Sequence, residues 1–423
     1  MRTTKLAFMI AAAGALAACT ELTTLEQENP GQLDASGLYV PANAQLLVNG
    51  VIADFECAFS RYTFGSAVFS DELTNAFSSS NTFDYDRRTL PPTAPYGNTT
   101  CGTGQTAPIY TPLSIARAAG DTVYSYLAGW TDAQVADRSK LMAQAATYAG
   151  YSLVLLGESM CSAAINLGPE LTPAQLFAEA RTRFDNAVTA ATAADDEATL
   201  NLALLGRART LLNLGDAAAA ATDAEKIPAD FVANIRTNAT TARQQNYVFL
   251  GVSQSNWASI DPSFQDLTVD GVPDPRVAVT NTGRTGTAGV PIWTADKYAT
   301  LATPIPVARW AEAQLIIAEA RAAENDLAGA AAAINAVRAT HPELPQYDVT
   351  GQTQAEVLAQ IIEERRRELY LEGHRLGDIR RYNLEIQPAA GTPYPNGGVY
   401  GTQTCFPLPD VERINNPNIG SGT

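Results

Sequence analysis

Histidine and cysteine, the residues that most often hold transition metals, are scarce in this chain of 423 residues. There are two histidines, His341 and His374, and five cysteines, none of them in a Cys-x-x-Cys pair. Zinc sites need several such ligands at short spacings. The sequence therefore predicts no metal centre and no cofactor. Calcium stays open, because acidic residues are plentiful but show no recognisable loop spacing.

Basic residues are also few. The chain has 28 Lys and Arg against 44 Asp and Glu, a net charge of −16, which falls to −18 once Arg2 and Lys5 are removed. Binding to nucleic acid requires a basic face, so the composition argues against a nucleic-acid partner. With 46% hydrophobic and 17% charged residues, the composition is typical of a folded globular chain.

The chain has no long hydrophobic run, and its one marked hydrophobic stretch is a short one at the start. Arg2 and Lys5 precede a hydrophobic stretch from Leu6 to Leu16, which is too short to cross a hydrocarbon core of ~30 Å. The residues Leu16-Ala-Ala-Cys19 resemble a bacterial lipobox. We therefore predict a lipoprotein signal peptide over 1–18, acyl chains such as palmitate on Cys19, and a lipidated linker over 19–35. The alternative is an ordinary signal peptide with a chance cysteine.

Four cysteines remain after Cys19, an even number that favours two disulfides in an oxidising compartment. They are Cys57, Cys101, Cys161 and Cys405. Three pairings are possible, and the sequence does not choose among them.

The middle of the chain repeats itself at an offset of 110 residues. The segments 202–226 and 312–339 each read as a helix, a tight polar turn and an alanine-rich helix, with turns at Gly215-Asp216 and Asn325-Asp326. This pattern is typical of tetratricopeptide-like helix hairpins, in which small residues let helices approach closely. Hairpins are predicted at about 45–130, 138–191, 199–226 and 310–340, which gives a mostly all-α fold. Generic helix hairpins without true repeats are the alternative.

Signals for catalysis are weak. Gly157-Glu-Ser159-Met-Cys161 approaches a nucleophile elbow, but Cys161 stands where the second glycine is needed. The glycines from Gly283 to Gly289 lack the start of a dinucleotide-binding turn. No pattern brings two carboxylates together for glycoside hydrolysis. The sequence predicts a protein without enzymatic activity.

The most informative segment is a charged run that follows an apolar helical stripe. It reads Glu364-Arg-Arg-Arg-Glu368-Leu-Tyr-Leu-Glu372-Gly-His-Arg375-Leu-Gly-Asp378-Ile-Arg-Arg381. We predict helices over 355–382, fixed by a structural charge network at helical spacing. In that network Glu364, Glu368 and Glu372 are expected to pair with Arg365, Arg367 and Arg375, beside Asp378.

This run resembles the hallmark of the SusD/RagB family of nutrient-binding outer-membrane lipoproteins. Further matches to the family are Ser70-Asp-Glu-Leu73, Asp274-Pro-Arg276, Arg309-Trp-Ala-Glu312 and Cys405-Phe-Pro-Leu-Pro409. The resemblance implies one helical domain over 36–423, anchored by lipid at the outer surface of the outer membrane. It also implies capture of an oligosaccharide for a SusC-like TonB-dependent transporter. Two alternatives stay open: a peptide or other nutrient as ligand, and a structural envelope adaptor that uses only the repeats.

Two long loops rich in proline and glycine, 77–109 and 251–306, are predicted to carry the ligand-binding lobe. Sugars present C–H faces that rest on aromatic rings, so exposed aromatic residues in these loops are the candidates. They are Trp257 and Trp293 first, then Tyr85, Tyr96 and Phe83. The competing interpretation is that each ring packs its own loop onto the helices.

Overall fold

The structure is a computed structural model, and it describes residues 35–78, 80–102 and 107–419. The predicted signal peptide, Cys19 and all but the last residue of the predicted linker lie outside these ranges. Within the described ranges, no helix is both long enough and apolar enough to cross a membrane.

The fold is mostly helical, as the sequence predicts. The α-helices are α1 (Ala35–Leu38), α2 (Ala44–Phe69), α3 (Ser80–Asp86), α4 (Pro95–Asn98), α5 (Tyr110–Gly129), α6 (Arg138–Ser159), α7 (Pro173–Ala193), α8 (Glu197–Asn213), α9 (Ala217–Ala224), α10 (Tyr247–Phe249), α11 (Trp310–Ala323), α12 (Leu327–Arg338), α13 (Gln354–Glu368), α14 (Arg375–Tyr382) and α15 (Asp410–Asn415). A π-helical turn, Leu250–Gln254, continues α10.

The strands are short and form antiparallel pairs. They are β1 (Leu73–Asn75), β2 (Ala163–Ala164), β3 (Glu170–Leu171), β4 (Val232–Asn234), β5 (Ala258–Ile260), β6 (Thr268–Val269), β7 (Val272–Pro273), β8 (Val279–Thr285), β9 (Pro291–Ala295) and β10 (Pro306–Arg309). The pairs are β1 with β5, β2 with β3, β4 with β10, β6 with β7 and β8 with β9. Except for β1, β2 and β3, these strands lie outside the helix hairpins.

The long helices pack on one another largely in chain order. α2 contacts α5, α5 contacts α6, and the series continues through α7, α8, α9, α11 and α12. Small residues make the close contacts possible. A Cβ added at Gly206 would lie 2.4 Å from the ring of Phe184, and one at Gly150 would lie 2.9 Å from the same ring. Such an array is the hairpin scaffold that the alanine-rich segments indicate.

The two turns at the 110-residue offset have the same conformation. Gly215 and Asn325 both have positive φ angles, 84° and 61°. The next residues, Asp216 and Asp326, each accept a hydrogen bond from the backbone N–H three residues further on. The pattern of a left-handed residue followed by an aspartate N-cap therefore ends one helix and starts the next in both segments.

Two disulfides join distant parts of the chain. Cys57 in α2 is bonded to Cys101 in the first long loop, and Cys161 just after α6 is bonded to Cys405 near the C-terminus. Beside the second bond, Phe406 N–H donates to Ser159 O and Cys161 N–H donates to Phe406 O. The C-terminal segment is thus fastened to the helical scaffold.

The charged run is buried, and its acidic residues have partners other than the predicted ones. Glu364 binds Arg276 and Arg338, each at 2.5 Å. Glu368 and Glu372 both bind Arg309, which comes from β10. Burial acts to raise the pKa of Glu368. Hydrogen bonds from His341 and Arg309 and the charges of Arg309 and Arg276 outweigh it and lower this pKa to about 2.

The arginines of the run also pair across elements. Arg365 binds Asp378 of α14, and Arg375 binds both carboxylate oxygens of Asp71 at 2.6 Å. Arg366 and Arg367 pair with Glu363 within their own helix, and Arg367 also contacts Asp274. Pairing along one helix suits an exposed face. The run is buried instead, so its charges need partners from the elements packed against it.

Candidate functional site

A cleft of about 500 Å³ opens where the second long loop meets the C-terminal segment. β5 and the turn after it form one side, β9 forms another, and residues 387–400 close the third. The lining residues are Thr74, Ile260, Asp261, Pro262, Ser263, Gln265, Val290, Pro291, Trp293, Gln387, Pro388, Pro395 and Tyr400.

Trp293 is the aromatic residue that reaches the cleft with a partly exposed ring. It lies in β9 opposite Asn281 of β8, and its backbone N–H donates to Ser259 Oγ at 2.9 Å. Ser259 Oγ in turn donates to the carbonyl of Pro291 at 2.8 Å. Side chains alternate along a strand, so the burial of Ile292 directs Trp293 to the opposite face.

Two neutral amides, Gln265 and Gln387, are among the polar groups of the cleft. Gln265 Nε2 donates to the carbonyl of Ile260 at 2.9 Å. Nothing in the described parts of the chain donates to Gln265 Oε1 in return. Gln387 is exposed at the rim, with its Nε2 3.2 Å from Glu385. Both amides can exchange hydrogen bonds with hydroxyl groups.

Asp261 is the one carboxylate among the residues that line the cleft. Thr74 Oγ1 donates to it at 2.7 Å, and the backbone N–H of Ser263 donates at 2.9 Å. Burial raises the pKa of Asp261 above its ordinary value, while these hydrogen bonds act in the opposite direction.

The buried ring of Tyr400 forms the far wall of the cleft, and Arg88 supports it from the side away from the cleft. Arg88 lies over the ring of Tyr400 at 5.0 Å from its centroid and donates to the carbonyls of Ile386 and Pro388. Burial lowers the pKa of Arg88. Because these carbonyls hold the guanidinium behind the wall, Arg88 fixes the shape of the cleft and does not line it.

Three of the predicted ring platforms are core residues, which corrects the prediction. Trp257 is 9% exposed, Tyr85 1% and Tyr96 0%. Tyr85 and Tyr96 both pack against Phe406, with ring centroids 5.5 and 5.4 Å apart. No sugar can stack on rings whose faces are already covered by protein.

Phe83 and Trp293 remain partly exposed. The ring of Phe83 is contacted by Arg87 at 4.6 Å and edge-on by Tyr394 at 4.8 Å, so protein groups already occupy it. Trp293 is therefore the one predicted platform that lines the cleft.

Sequence reasoning missed the wall formed by residues 387–400. The segment 386–410 is as rich in proline and glycine as the two long loops, and it carries Tyr394 and Tyr400. Its composition is that of a third loop of the same kind, but the predicted binding lobe did not include it. Its position beside Trp293 depends on contacts across roughly a hundred residues of chain, which composition does not give.

The arrangement is suited to reversible binding. It combines one indole ring, proline rings, amides and hydroxyl groups, but it has no pair of carboxylates for acid–base chemistry. Within the described ranges, no three His, Cys, Asp or Glu side chains come together in a way that could hold a metal ion.

The helical scaffold thus carries a cleft that is built from loops. The sequence model of the SusD family matches residues 269–415. None of the curated proteins compared with the chain matches it. The matched region contains the charged C-terminal run, so this part of the chain is similar to the SusD family.

Solved structures show the same fold over nearly the whole chain. A SusD-like carbohydrate binding protein from Bacteroides vulgatus is 17% identical, with a TM-score of 0.65 over 90% of this chain and 97% of that one. Surface glycan-binding protein A from Bacteroides thetaiotaomicron, solved with laminarihexaose, is 14% identical, with a TM-score of 0.69 over 89% and 98%. A laminarin binding SusD-like protein is 16% identical, with a TM-score of 0.63 over 89% and 98%.

Proposed function

We propose that this protein binds oligosaccharides in the Trp293 cleft without altering them. The observation that carries the proposal is the partly exposed Trp293 ring set among amides and hydroxyl groups. An indole face offers apolar contact to the C–H groups of a sugar ring, while Gln265 and Gln387 pair with its hydroxyls. Similar folds that bind laminarin or laminarihexaose support the same class of ligand.

The cellular setting is part of the proposal. The predicted lipobox supports a lipid anchor on Cys19, and the similarity of residues 269–415 to the SusD family supports a place at the cell surface on the outer membrane. The protein would pass its ligand to a SusC-like TonB-dependent transporter. Co-purification after mild detergent extraction tests this partnership, and a full-length lipidated protein that always emerges alone would contradict it.

Glycan binding itself is tested on the soluble chain lacking residues 1–19. Purified polysaccharides are screened by calorimetry or affinity electrophoresis, and each hit is repeated with Trp293→Ala. We expect the affinity to fall about tenfold or more, because the indole contact with the ligand is lost.

The matched control is Tyr126→Ala, which removes an exposed aromatic ring from α5, outside the cleft. Its affinity should equal that of wild type. Equal weakening by the two substitutions would contradict the Trp293 cleft as the site. Binding of a peptide pool, with no polysaccharide bound, would contradict the ligand class.

A further inference from the structure

The Trp293 cleft carries fewer charged side chains than the other cavities of similar size. No lysine or arginine lines it within the described residues, and its one charged side chain is Asp261. By contrast, a neighbouring cavity of about 370 Å³ is lined by Arg276, Lys297 and Arg309. Those cations are already paired with carboxylates, as with Arg309 and Glu372.

The negative charge of Asp261 has no direct counter-charge. Its hydrogen bonds come from a hydroxyl and a backbone N–H, and within the described ranges no lysine or arginine forms an ion pair with it. Charges in a partly buried site interact more strongly than charges in water. A carboxylate or sulfate on a ligand would therefore meet repulsion here with no basic group to offset it.

The cations behind the walls are already engaged by protein groups, and Arg366 donates to the carbonyl of Ser263 and pairs with Glu363. The Arg88 guanidinium is buried behind Tyr400 and donates to the carbonyls of Ile386 and Pro388. Asp86, whose pKa burial raises to about 7, lies in the same region and offsets part of the charge of Arg88. The groups left to meet a ligand are the neutral Gln265, Gln387 and Thr74 and the apolar rings.

We propose that the cleft is selective for neutral glycans and rejects chains that carry uronic acid or sulfate groups. This inference rests on the proposed function, because it assigns a ligand class to the same cleft. The net charge of −16 also disfavours polyanions, but it acts at long range and salt screens it. Discrimination that persists at 1 M salt, where the screening length is ~3 Å, would come from the cleft itself.

The test is a panel of defined polysaccharides on the soluble chain, at low salt and at 1 M salt. The neutral set is laminarin, mixed-linkage β-glucan, xyloglucan and starch. The anionic set is polygalacturonate, alginate, carboxymethylated laminarin and chondroitin sulfate. We expect binding within the neutral set alone. Tighter binding to any anionic member would overturn the inference while leaving glycan binding intact, and no binding at all would overturn the proposed function and the inference together.

Two variants place the discrimination in the cleft. Asp261→Asn keeps a hydrogen-bonding side chain and removes the charge, while Gln265→Lys adds a cation. Each should raise the affinity for a carboxylated derivative of the bound glycan about tenfold relative to the neutral parent. Gln45→Lys makes the same charge change on the exposed face of α2 and should leave the ratio unchanged. An equal effect of Gln45→Lys would show that overall charge sets the preference, which contradicts the proposal.

Discussion

Among the described residues, three buried carboxyl groups have a strongly raised pKa. They belong to Glu72, Asp86 and Glu312, and burial raises the pKa of each to about 7. Glu72 accepts the backbone N–H of Leu371 at 2.7 Å, directly beside the charged C-terminal run. Each of these groups therefore holds a proton in the native state over a pH range in which the unfolded chain has lost it.

This difference predicts how stability depends on pH. Between about pH 4.5 and 7 the native Glu72 binds more protons than the unfolded one, so the free energy of unfolding falls as the pH rises. Glu72→Gln keeps an acceptor for Leu371 and removes the ionisation. Relative to wild type, the variant should gain roughly 2–3 kcal/mol between pH 5 and pH 8. Urea unfolding of both proteins at the two pH values measures this gain, and a constant difference would contradict it.

The ion pair between Arg375 and Asp71 predicts a substitution that lowers the free energy of unfolding. It is bidentate, largely buried, and joins α14 to the segment before β1. Arg375→Met would leave Asp71 buried without its partner, which should cost about 3–5 kcal/mol.

A double-mutant cycle with Asp71→Asn provides the control for this prediction. Removing both charges should cost clearly less than the sum of the two single substitutions. Additive losses, measured by chemical unfolding, would mean that the two side chains act independently.

At the scale of elements, the repeated turns make a matched pair. Asp216 and Asp326 are N-caps of α9 and α12 at equivalent positions of the two segments. Asp216→Ala and Asp326→Ala should each lower the free energy of unfolding by about 1 kcal/mol, because a backbone N–H loses its acceptor. Replacement by Asn, which also caps, should cost much less. Thermal or urea unfolding checks both, and a loss with Asn as large as that with Ala would contradict the capping role.

These turns also show what could be predicted from the sequence. The end of a helix is determined by a few neighbouring residues, so the turns at Gly215-Asp216 and Asn325-Asp326 can be predicted from the sequence. The partners of Glu364 cannot, because Arg276 lies 88 positions earlier in the chain. The same limit applies to Tyr85 and Tyr96. Their composition suits a ligand platform, and contacts that include Phe406 from the far end of the chain bury them.

Only one side of the cleft could be predicted from the sequence. Trp293 stands in a loop whose length and composition indicate function. Tyr400 and Gln387 reach it because the C-terminal segment folds back across the second loop, which depends on tertiary contacts and on the Cys161–Cys405 bond. At the scale of the whole molecule, the site is formed by the second long loop together with the C-terminal segment, which the Cys161–Cys405 disulfide holds.

That joint construction predicts different roles for the two disulfides. Cys161 and Cys405 are 244 residues apart and Cys57 and Cys101 are 44 apart, so chain entropy gives stabilisations of roughly 5 and 4 kcal/mol. Paired Cys→Ala variants should therefore differ little in urea unfolding. They should differ in binding, because only the loss of Cys161–Cys405 loosens residues 387–400, which form one wall of the cleft.

Limited proteolysis and glycan affinity separate the two variants. Without Cys161–Cys405 we expect faster cleavage within residues 387–405 and weaker binding at temperatures where the protein stays folded, since one wall of the cleft loses its fastening. Without Cys57–Cys101 the wall keeps its bond, and both measurements should stay near wild type. Protected tails in both variants would mean that the packing of Phe406 among Phe69, Tyr85 and Tyr96 holds the wall by itself. The disulfide would then stabilise the fold without shaping the site.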